Sequence, residues 1–231
     1  MSDRPAPLVW LFDVDGTLLL TQGAGREALS AALRDVHGIE DDLRTIPFAG
    51  RTDRLITDDI AARHGLSFEG DLRARFFDQV VTRMRELMDP PRGGLLPGVG
   101  AVLDAVEAEP AWAMALLTGN ETRMARVKLE SFGLWERFAW GAFGEEGEDR
   151  DAIARLAVRR AAERHAVAPE RCVVVGDTEH DIACARAAGA RVVAVTTGGR
   201  SRDTLASHAP DLLLDDLADP APLLVWARGL V

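Results

Sequence analysis

Two aspartates separated by one residue follow the first apolar run of the chain. Residues 8–12 are all apolar, and Asp13 and Asp15 come directly after them, with Gly16 next. Because side chains alternate along an extended chain, Asp13 and Asp15 lie on the same side of it. Two neighbouring carboxylates repel each other unless a cation or a shared proton offsets their charge. The spacing therefore predicts a cation-binding acidic site or, as the plainer alternative, a solvated turn.

A hydroxyl and an amide follow a second apolar run. Residues 112–117 read WAMALL, and Thr118, Gly119 and Asn120 come after them, just before a helical pattern begins. Backbone and side-chain donors beside a helix N-terminus form a ready binding site for phosphate. Asn120 is also a preferred helix-capping residue, whatever is bound nearby. This stretch predicts a phosphate-binding junction or an ordinary helix cap.

A third apolar run ends in a further pair of aspartates. Residues 171–175 read RCVVV, and Asp177 and Asp181 follow. Their four-residue spacing is one helical turn, which places both on the same face. Together with Asp13 and Asp15, Asp177 would form an oxygen-rich site at the ends of two strands, of a kind that suits Mg²⁺.

The elements that would position these residues are a parallel sheet and a run of helices. Helical spacing of apolar residues predicts helices over 22–37, 51–64 and 68–88. After them, apolar strands alternate with helices, which indicates an α/β fold with a Rossmann-like parallel sheet. Because a crossover between parallel strands needs only about a dozen residues, residues 22–91 are predicted to be an inserted all-helical cap domain. The α/β core domain is then residues 1–21 and 92–231; the alternative is that the helices simply cover the sheet.

The order of these motifs resembles that of the haloacid dehalogenase superfamily. Residues 8–17, which end in DVDGT, and the apolar segment after them resemble the family's first motif. Thr118 stands where the second motif is expected, and residues 176–181 resemble the fourth. Within the superfamily, the chain is most similar to Mg²⁺-dependent phosphatases with a helical cap, of the phosphoglycolate phosphatase type.

The resemblance implies a covalent phosphatase mechanism. Asp13 would attack phosphorus and form an aspartyl-phosphate, while Asp15 would act first as an acid and then as a base. Mg²⁺ would be bound by Asp13, the main chain of Asp15 and Asp177, with Asp181 acting through water. The phosphoryl group would be held by Gly16, Thr118, Gly119 and Asn120.

The family's third motif is degenerate in this chain. The family places a lysine, often followed by proline, about thirty residues after the second motif, and here that register holds Glu148, Asp149 and Arg150. Arg150 is favoured as the replacement catalytic cation, although a planar guanidinium is not equivalent to an ammonium group. The alternative is Lys128, the single lysine of the chain. At 1.5 Å per residue it lies roughly 9 Å along its helix, which predicts a long reach back to the site.

Substrate choice is expected to lie in the helical segment. Residues 48–53 resemble the specificity loop of phosphoglycolate-phosphatase-like members. Arg51 would then contact the distal group of the substrate when the cap closes. The alternative is an arginine in solvent near the start of a helix.

Composition narrows the remaining classes. A net charge of −10 argues against a nucleic-acid partner but not against a small phosphorylated metabolite. No apolar stretch approaches the roughly 20 residues that span a bilayer, so we expect no membrane partner and a cytoplasmic location. Cys172 and Cys184 form no zinc or disulfide pattern and are expected to be core residues. A monomer or homodimer is expected.

Other functions compete with the phosphatase interpretation. A sugar-phosphate mutase of the same superfamily has nearly the same core motifs and is the main enzymatic rival. A hydrolytic dehalogenase usually lacks a residue like Asp15, and a phosphonatase needs a cap lysine, which residues 22–88 do not contain. A non-catalytic regulatory module that binds a phosphorylated ligand would be expected to have lost Asp13, Asp15 or Asp177.

Overall fold

The computed structural model describes residues 7–68 and 71–230, and within them the first apolar run becomes the central strand of a parallel sheet. The strands in these residues are β1 (Leu8–Phe12), β2 (Leu19–Leu20), β3 (Gly94–Leu95), β4 (Trp112–Leu117), β5 (Gly141–Ala142), β6 (Cys172–Gly176), β7 (Arg191–Val195) and β8 (Leu212–Leu214). Six of them pair in parallel in the order β5-β4-β1-β6-β7-β8. The predicted Rossmann-like α/β sheet is confirmed.

Every side chain of β1 is buried because both faces of the sheet are covered. Leu8, Trp10 and Phe12 belong to one hydrophobic cluster, whereas Val9 and Leu11 belong to the other. A strand without a solvent-facing side needs a continuous apolar run rather than an alternating pattern. Since β4 and β6 flank β1 in parallel, the residues that follow these three strands meet at one edge of the sheet.

Helices account for most of the remaining described residues. They are α1 (Ala24–His37), α2 (Asp53–His64), α3 (Asp71–Leu87), α4 (Val99–Glu107), α5 (Thr122–Glu130), α6 (Arg150–His165), α7 (Glu179–Ala187), α8 (Arg202–Ser207) and α9 (Ala221–Arg228). The start of α6 is set by Asp149, whose side chain accepts a hydrogen bond from the backbone N–H of Ala152 (2.8 Å). In the part of the chain described, no helix has both the length and the apolar character that crossing a membrane requires.

Helices α1 to α3, which we call the helical insertion, lie between β2 and β3 and share a hydrophobic cluster. Leu33, Phe76 and Met84 are buried in that cluster, and Met124 and Val127 of α5 also belong to it. The insertion therefore packs on the core helix α5 as well as on itself. The division into core and cap domains stays a prediction.

The ends of the predicted elements differ from the structure by a few residues. Residues 69 and 70, in the third predicted helix, lie outside the described residues, as do residues 1–6 and 231 of the predicted core domain. The sequence did not predict β2 and β3, which pair antiparallel where the chain leaves and re-enters the core. Helix α8 was missed too, because these elements are too short to show a periodic pattern.

Candidate active site

Three carboxylates meet at the carboxyl ends of β1 and β6. Oxygen atoms of Asp13, Asp177 and Asp181 lie within 4.8 Å of one another, and all three residues are buried. The backbone N–H of Asp13 donates to the Val175 carbonyl (3.0 Å), which ties the end of β1 to β6. Such a close group of buried carboxyls needs a compensating cation or bound protons.

Arg150 supplies one positive charge from the first turn of α6. Its Nη2 lies 3.1 Å from Asp13 Oδ1 and also contacts Oδ1 of Asp181. The guanidinium is buried, and its Nε has no hydrogen-bond partner among the described residues. One guanidinium can offset only one of the three carboxylates once they are ionised, so the site has the donor set and the excess charge that attract a hard cation.

Burial changes the ionisation of this cluster. It raises the pKa of Asp13 from 3.8 to about 6, although the charge of Arg150 opposes the rise. The pKa of Asp177 rises to about 8 through burial and then through the neighbouring charges of Asp181 and Asp13. Burial alone would lower the pKa of Arg150, but the same two carboxylates outweigh it and keep the guanidinium charged.

A second cation, Lys128, contacts Asp15. Lys128 Nζ lies 2.6 Å from Asp15 Oδ2 and 2.5 Å from Asn120 Oδ1. Asn120 Nδ2 donates to the same Asp15 oxygen (2.8 Å) and to Thr118 Oγ1 (2.7 Å). Within the described residues Thr118 Oγ1 acts only as an acceptor, which leaves its hydrogen available to an anion.

The position of Lys128 corrects the expectation of a long reach. Helix side chains tilt toward the helix N-terminus, so the ammonium group of Lys128 lies closer to the start of α5 than its Cα atom does. The structure therefore brings both candidate cations to the site. Arg150 contacts Asp13, whereas Lys128 contacts Asp15.

The backbone approaches Asp177 closely at two glycines. A Cβ atom at Gly198 would lie 1.6 Å from Asp177 Oδ2, and one at Gly16 would lie 2.6 Å from the same oxygen. Gly16 also has a φ of +83°, which other residues rarely adopt. Thr17 Oγ1 donates to Asp177 Oδ1 (3.3 Å). A side chain at either glycine would displace the Asp177 carboxylate.

A cavity of about 370 Å³ joins these polar residues to the helical insertion. This volume suits a small metabolite. Its lining includes Asp13 and Asp15 at the strand end and Arg26 and Arg51 from the insertion side. Apolar side chains complete the wall: Leu29, Phe48, Ile56 and Met124.

Arg51 lines the cavity, as its predicted role requires, but its guanidinium is already engaged. Nη1 forms an ion pair with Asp59 and donates to the Pro47 carbonyl (3.4 Å). Nη2 donates to the Leu55 carbonyl (3.5 Å). Its contact with a substrate stays a prediction, because a ligand would have to compete with these partners.

The helical insertion is joined to the core beside the second motif. The backbone N–H of Asp53 donates to the Gly119 carbonyl (2.8 Å), and Asp53 Oδ2 accepts from the N–H of Glu121 (2.8 Å). A Cβ atom at Gly119 would lie 2.3 Å from the Arg51 carbonyl oxygen, so this close approach requires glycine. Burial raises the pKa of Asp53 to about 6, against the opposing charge of Lys128.

The Asp53→Asn variant is expected to be more stable than the wild type at pH 8, by about 2 kcal/mol. Because folding raises the Asp53 pKa from 3.8 to about 6, the folded state holds this proton more tightly than the unfolded chain. The stability that Asp53 contributes is therefore lost as pH rises from 3.8 through about 6. Asparagine avoids this loss and still offers an oxygen to the N–H of Glu121. Urea unfolding at pH 8 and pH 4 should show the gain shrinking at the lower pH. The exposed Glu40→Gln is the control, and an equal gain at both pH values would contradict the prediction.

Sequence reasoning assigned no role to three groups that the structure places at the site. Asp53 lies within residues 48–53, but no feature of the neighbouring sequence indicates that it contacts Glu121. Gly198 follows β7, at the same edge of the sheet as the three motifs, and that position is a signal that could have identified it. Arg26 lies in α1 and carries no local signal.

The fold and the site together define an α/β enzyme with an acidic centre at the ends of its parallel strands. A family model described as haloacid dehalogenase-like hydrolase matches residues 10–186, and a second, HAD-hydrolase-like, matches residues 154–220. The chain belongs to the haloacid dehalogenase-like hydrolase family, as its motifs predicted.

Its sequence relatives carry phosphatase names. It is 29% identical over 225 residues to "Probable phosphatase IndB" of Dickeya dadantii, covering 92% of this chain and 91% of that protein. It is 24% identical over 220 residues to a phosphoglycolate phosphatase of Vibrio vulnificus, covering 90% and 91%. In line with the sequence prediction, the chain is an enzyme of the phosphoric monoester hydrolase class.

Solved structures share the fold. A predicted phosphoglycolate phosphatase from Haemophilus somnus has a TM-score of 0.74 at 22% identity, covering 96% of this chain and all of that one. A putative β-phosphoglucomutase from Thermotoga maritima has a TM-score of 0.64 at 23% identity, covering 94% and 98%. At these identities the likeness establishes the architecture, which phosphatases and mutases share.

Proposed function

We propose that the chain is a Mg²⁺-dependent phosphatase of small phosphorylated metabolites that works through an aspartyl-phosphate on Asp13. The observation that carries this proposal is the set of contacts around Asp13. Its carboxylate lies 3.1 Å from Arg150, shares a buried acidic cluster with Asp177 and lines the cavity. A nucleophile, a cation and a metal-type donor set thus share one position.

The donor set fits Mg²⁺, which prefers carboxylate and carbonyl oxygens and binds few protein groups. Asp13, the main-chain carbonyl of Asp15 and Asp177 would hold the ion, whose charge would stabilise the phosphoryl oxygens. Asp181 has a supporting role, because its Oδ1 contacts Arg150. Its Oδ2 accepts from the N–H (3.0 Å) and the hydroxyl (2.7 Å) of Thr178.

In the first half-reaction, an Asp13 oxygen forms a bond to phosphorus and the bond from phosphorus to the ester oxygen breaks. Asp15 gives a proton to the leaving oxygen. Arg150 faces the attacking carboxylate and offsets charge that develops on the phosphoryl group. The Thr118 hydroxyl and the backbone N–H of Gly119 would donate to the phosphoryl oxygens.

In the second half-reaction, Asp15 takes a proton from water as the water oxygen attacks phosphorus. The bond from phosphorus to Asp13 then breaks, and inorganic phosphate leaves. Lys128 and Asn120 both contact Asp15 Oδ2, so one oxygen of that carboxylate is held while the other stays available for the proton. Lys128 therefore positions the acid–base group, and Arg150 takes the place of the family's third-motif lysine.

Chelation of metal by EDTA is expected to abolish hydrolysis of an aryl phosphate, and added Mg²⁺ should restore it. Without a divalent cation, the carboxylates around Asp13 repel a phosphate dianion. The measurement is release of inorganic phosphate from a panel of esters that includes 2-phosphoglycolate and the glucose phosphates. Undiminished activity in EDTA would contradict the metal requirement.

The same panel separates the rival functions. Interconversion of glucose phosphates faster than release of phosphate would identify a mutase, the activity in the name of one structural neighbour. Binding of phosphate esters without turnover in Mg²⁺ would identify a regulatory module. Hydrolysis of small phosphorylated acids such as 2-phosphoglycolate would agree with the names of the sequence relatives.

A further inference from the structure

One of the cations that line the cavity has no acidic partner within the described residues. It is Arg26, in the first turn of α1; its Nε is buried without a hydrogen-bond partner, and its guanidinium forms no ion pair there. The other cations of the lining and their partners are Arg150 with Asp13, Lys128 with Asp15 and Arg51 with Asp59. Arg26 is thus the cation of this lining that remains available to a ligand.

The guanidinium of Arg26 is held in place by an aromatic side chain. Its Cζ atom lies 4.7 Å from the centre of the Phe48 ring, which also lines the cavity. Stacking on a ring face fixes the plane of a guanidinium while leaving its N–H groups free to donate. Leu29 and Met124 border the same cavity and give it apolar surface. A charge–charge interaction is stronger in such surroundings than in bulk water.

The position of Arg26 is electrostatically unfavourable for the helix itself. The first turn of a helix carries a partial positive charge and favours acidic residues. The neighbouring Glu27 does not compensate Arg26, because its carboxylate is paired with Arg92 (2.7 Å). Helix stability therefore does not explain an arginine here, whereas binding of an anion in the cavity does.

We infer that Arg26 binds a second anionic group of the substrate, remote from the phosphoryl group that reacts at Asp13. A carboxylate or a second phosphoryl group has the paired oxygens that a guanidinium binds through two parallel hydrogen bonds. The cavity, with a volume of about 370 Å³, accommodates a short phosphate ester that carries such a group. This inference rests on the proposed function and narrows its substrate class to small phosphate esters with a further negative charge.

The test compares phosphonates, which this chemistry does not hydrolyse. Phosphonoacetate carries a distal carboxylate, propane-1,3-diphosphonate a distal phosphoryl-like group, and ethylphosphonate no distal charge. Isothermal titration in Mg²⁺ should show the wild type binding one or both charged probes at least about tenfold more tightly than ethylphosphonate. Which probe is preferred distinguishes the two anionic groups.

Substitution of Arg26 should remove this preference. Arg26→Met and Arg26→Gln should bind all three probes within about twofold of one another, whereas Arg26→Lys should keep part of the preference. Arg54→Met, at an exposed arginine of the same helical insertion, is the matched control and should keep it fully. The glutamine variant retains a polar side chain, so it supports the test if the methionine variant does not fold.

Two results would overturn the inference: a wild type without preference for the charged probes, or a preference that survives in both Arg26→Met and Arg26→Gln. Loss of the preference in Arg51→Met instead would assign the distal anion to Arg51. Neither result depends on turnover. Failure to hydrolyse any ester of the panel would refute the proposed phosphatase function, and the titrations would still test Arg26. Hydrolysis without the preference would refute the role of Arg26 alone.

Discussion

Asp13→Asn is expected to lower the turnover of an aryl phosphate by at least about 10⁴-fold, because it removes the carboxylate that we propose forms the bond to phosphorus. The same change relieves charge in the acidic cluster, since burial raises the pKa of Asp13 to about 6. The variant should therefore unfold at a temperature no lower than that of the wild type. Phosphate release and thermal unfolding, measured on the same preparation, separate lost chemistry from lost structure.

The control for this variant is Asp203→Asn, which removes a carboxylate from an exposed position of α8. It should keep wild-type turnover. Turnover by Asp13→Asn at the wild-type rate would refute Asp13 as the nucleophile, even if the metal requirement were retained.

Arg150→Met is expected to destabilise the metal-free protein by about 3–5 kcal/mol at pH 8, because it leaves a buried acidic cluster without its cation. Asp13 and Asp181, both in contact with this guanidinium, would lose their shared partner. Added Mg²⁺ should restore part of the loss by binding the folded state. Urea unfolding with and without Mg²⁺ measures both effects.

Acidic pH should also reduce the loss of stability in the Arg150→Met variant. The pKa values of Asp13 and Asp177 are raised to about 6 and about 8, so both carboxyls are largely protonated at pH 5 and repel each other less. Arg150→Lys keeps the charge and is the matched variant, expected to lose less stability than methionine. Equal stability of the metal-free Arg150→Met variant and the wild type at pH 8 would contradict the role of the guanidinium.

The central sheet could be predicted from the sequence because its strands are continuous apolar runs. β1 is buried on both faces, and a polar residue, Asp13, follows it directly. Both the strand and the candidate site at its end can therefore be recognised in the sequence. β2 and β3 could not be predicted, because each has two residues and depends on pairing with the other. Local patterns carry no information about such non-local pairing.

The candidate site could be predicted in part for the same reason. Asp13, Thr118 and Asp177 each follow an apolar strand, and neighbouring parallel strands bring them to one edge. The partners of the arginines could not be predicted, because they depend on how the helical insertion packs. Arg51 is paired with Asp59, and Arg26 stacks on Phe48; neither contact has a local sequence signal.

The single lysine, buried in α5 against Asp15, has a practical consequence. A protease that cleaves only after lysine has one internal recognition position in this chain, and the folded structure shields it. Cutting at that position therefore requires the helix to open, and the cleavage rate measures how often it does. The appearance of two fragments on a gel would report local opening around Asp15, and ligands that stabilise the site would slow their formation.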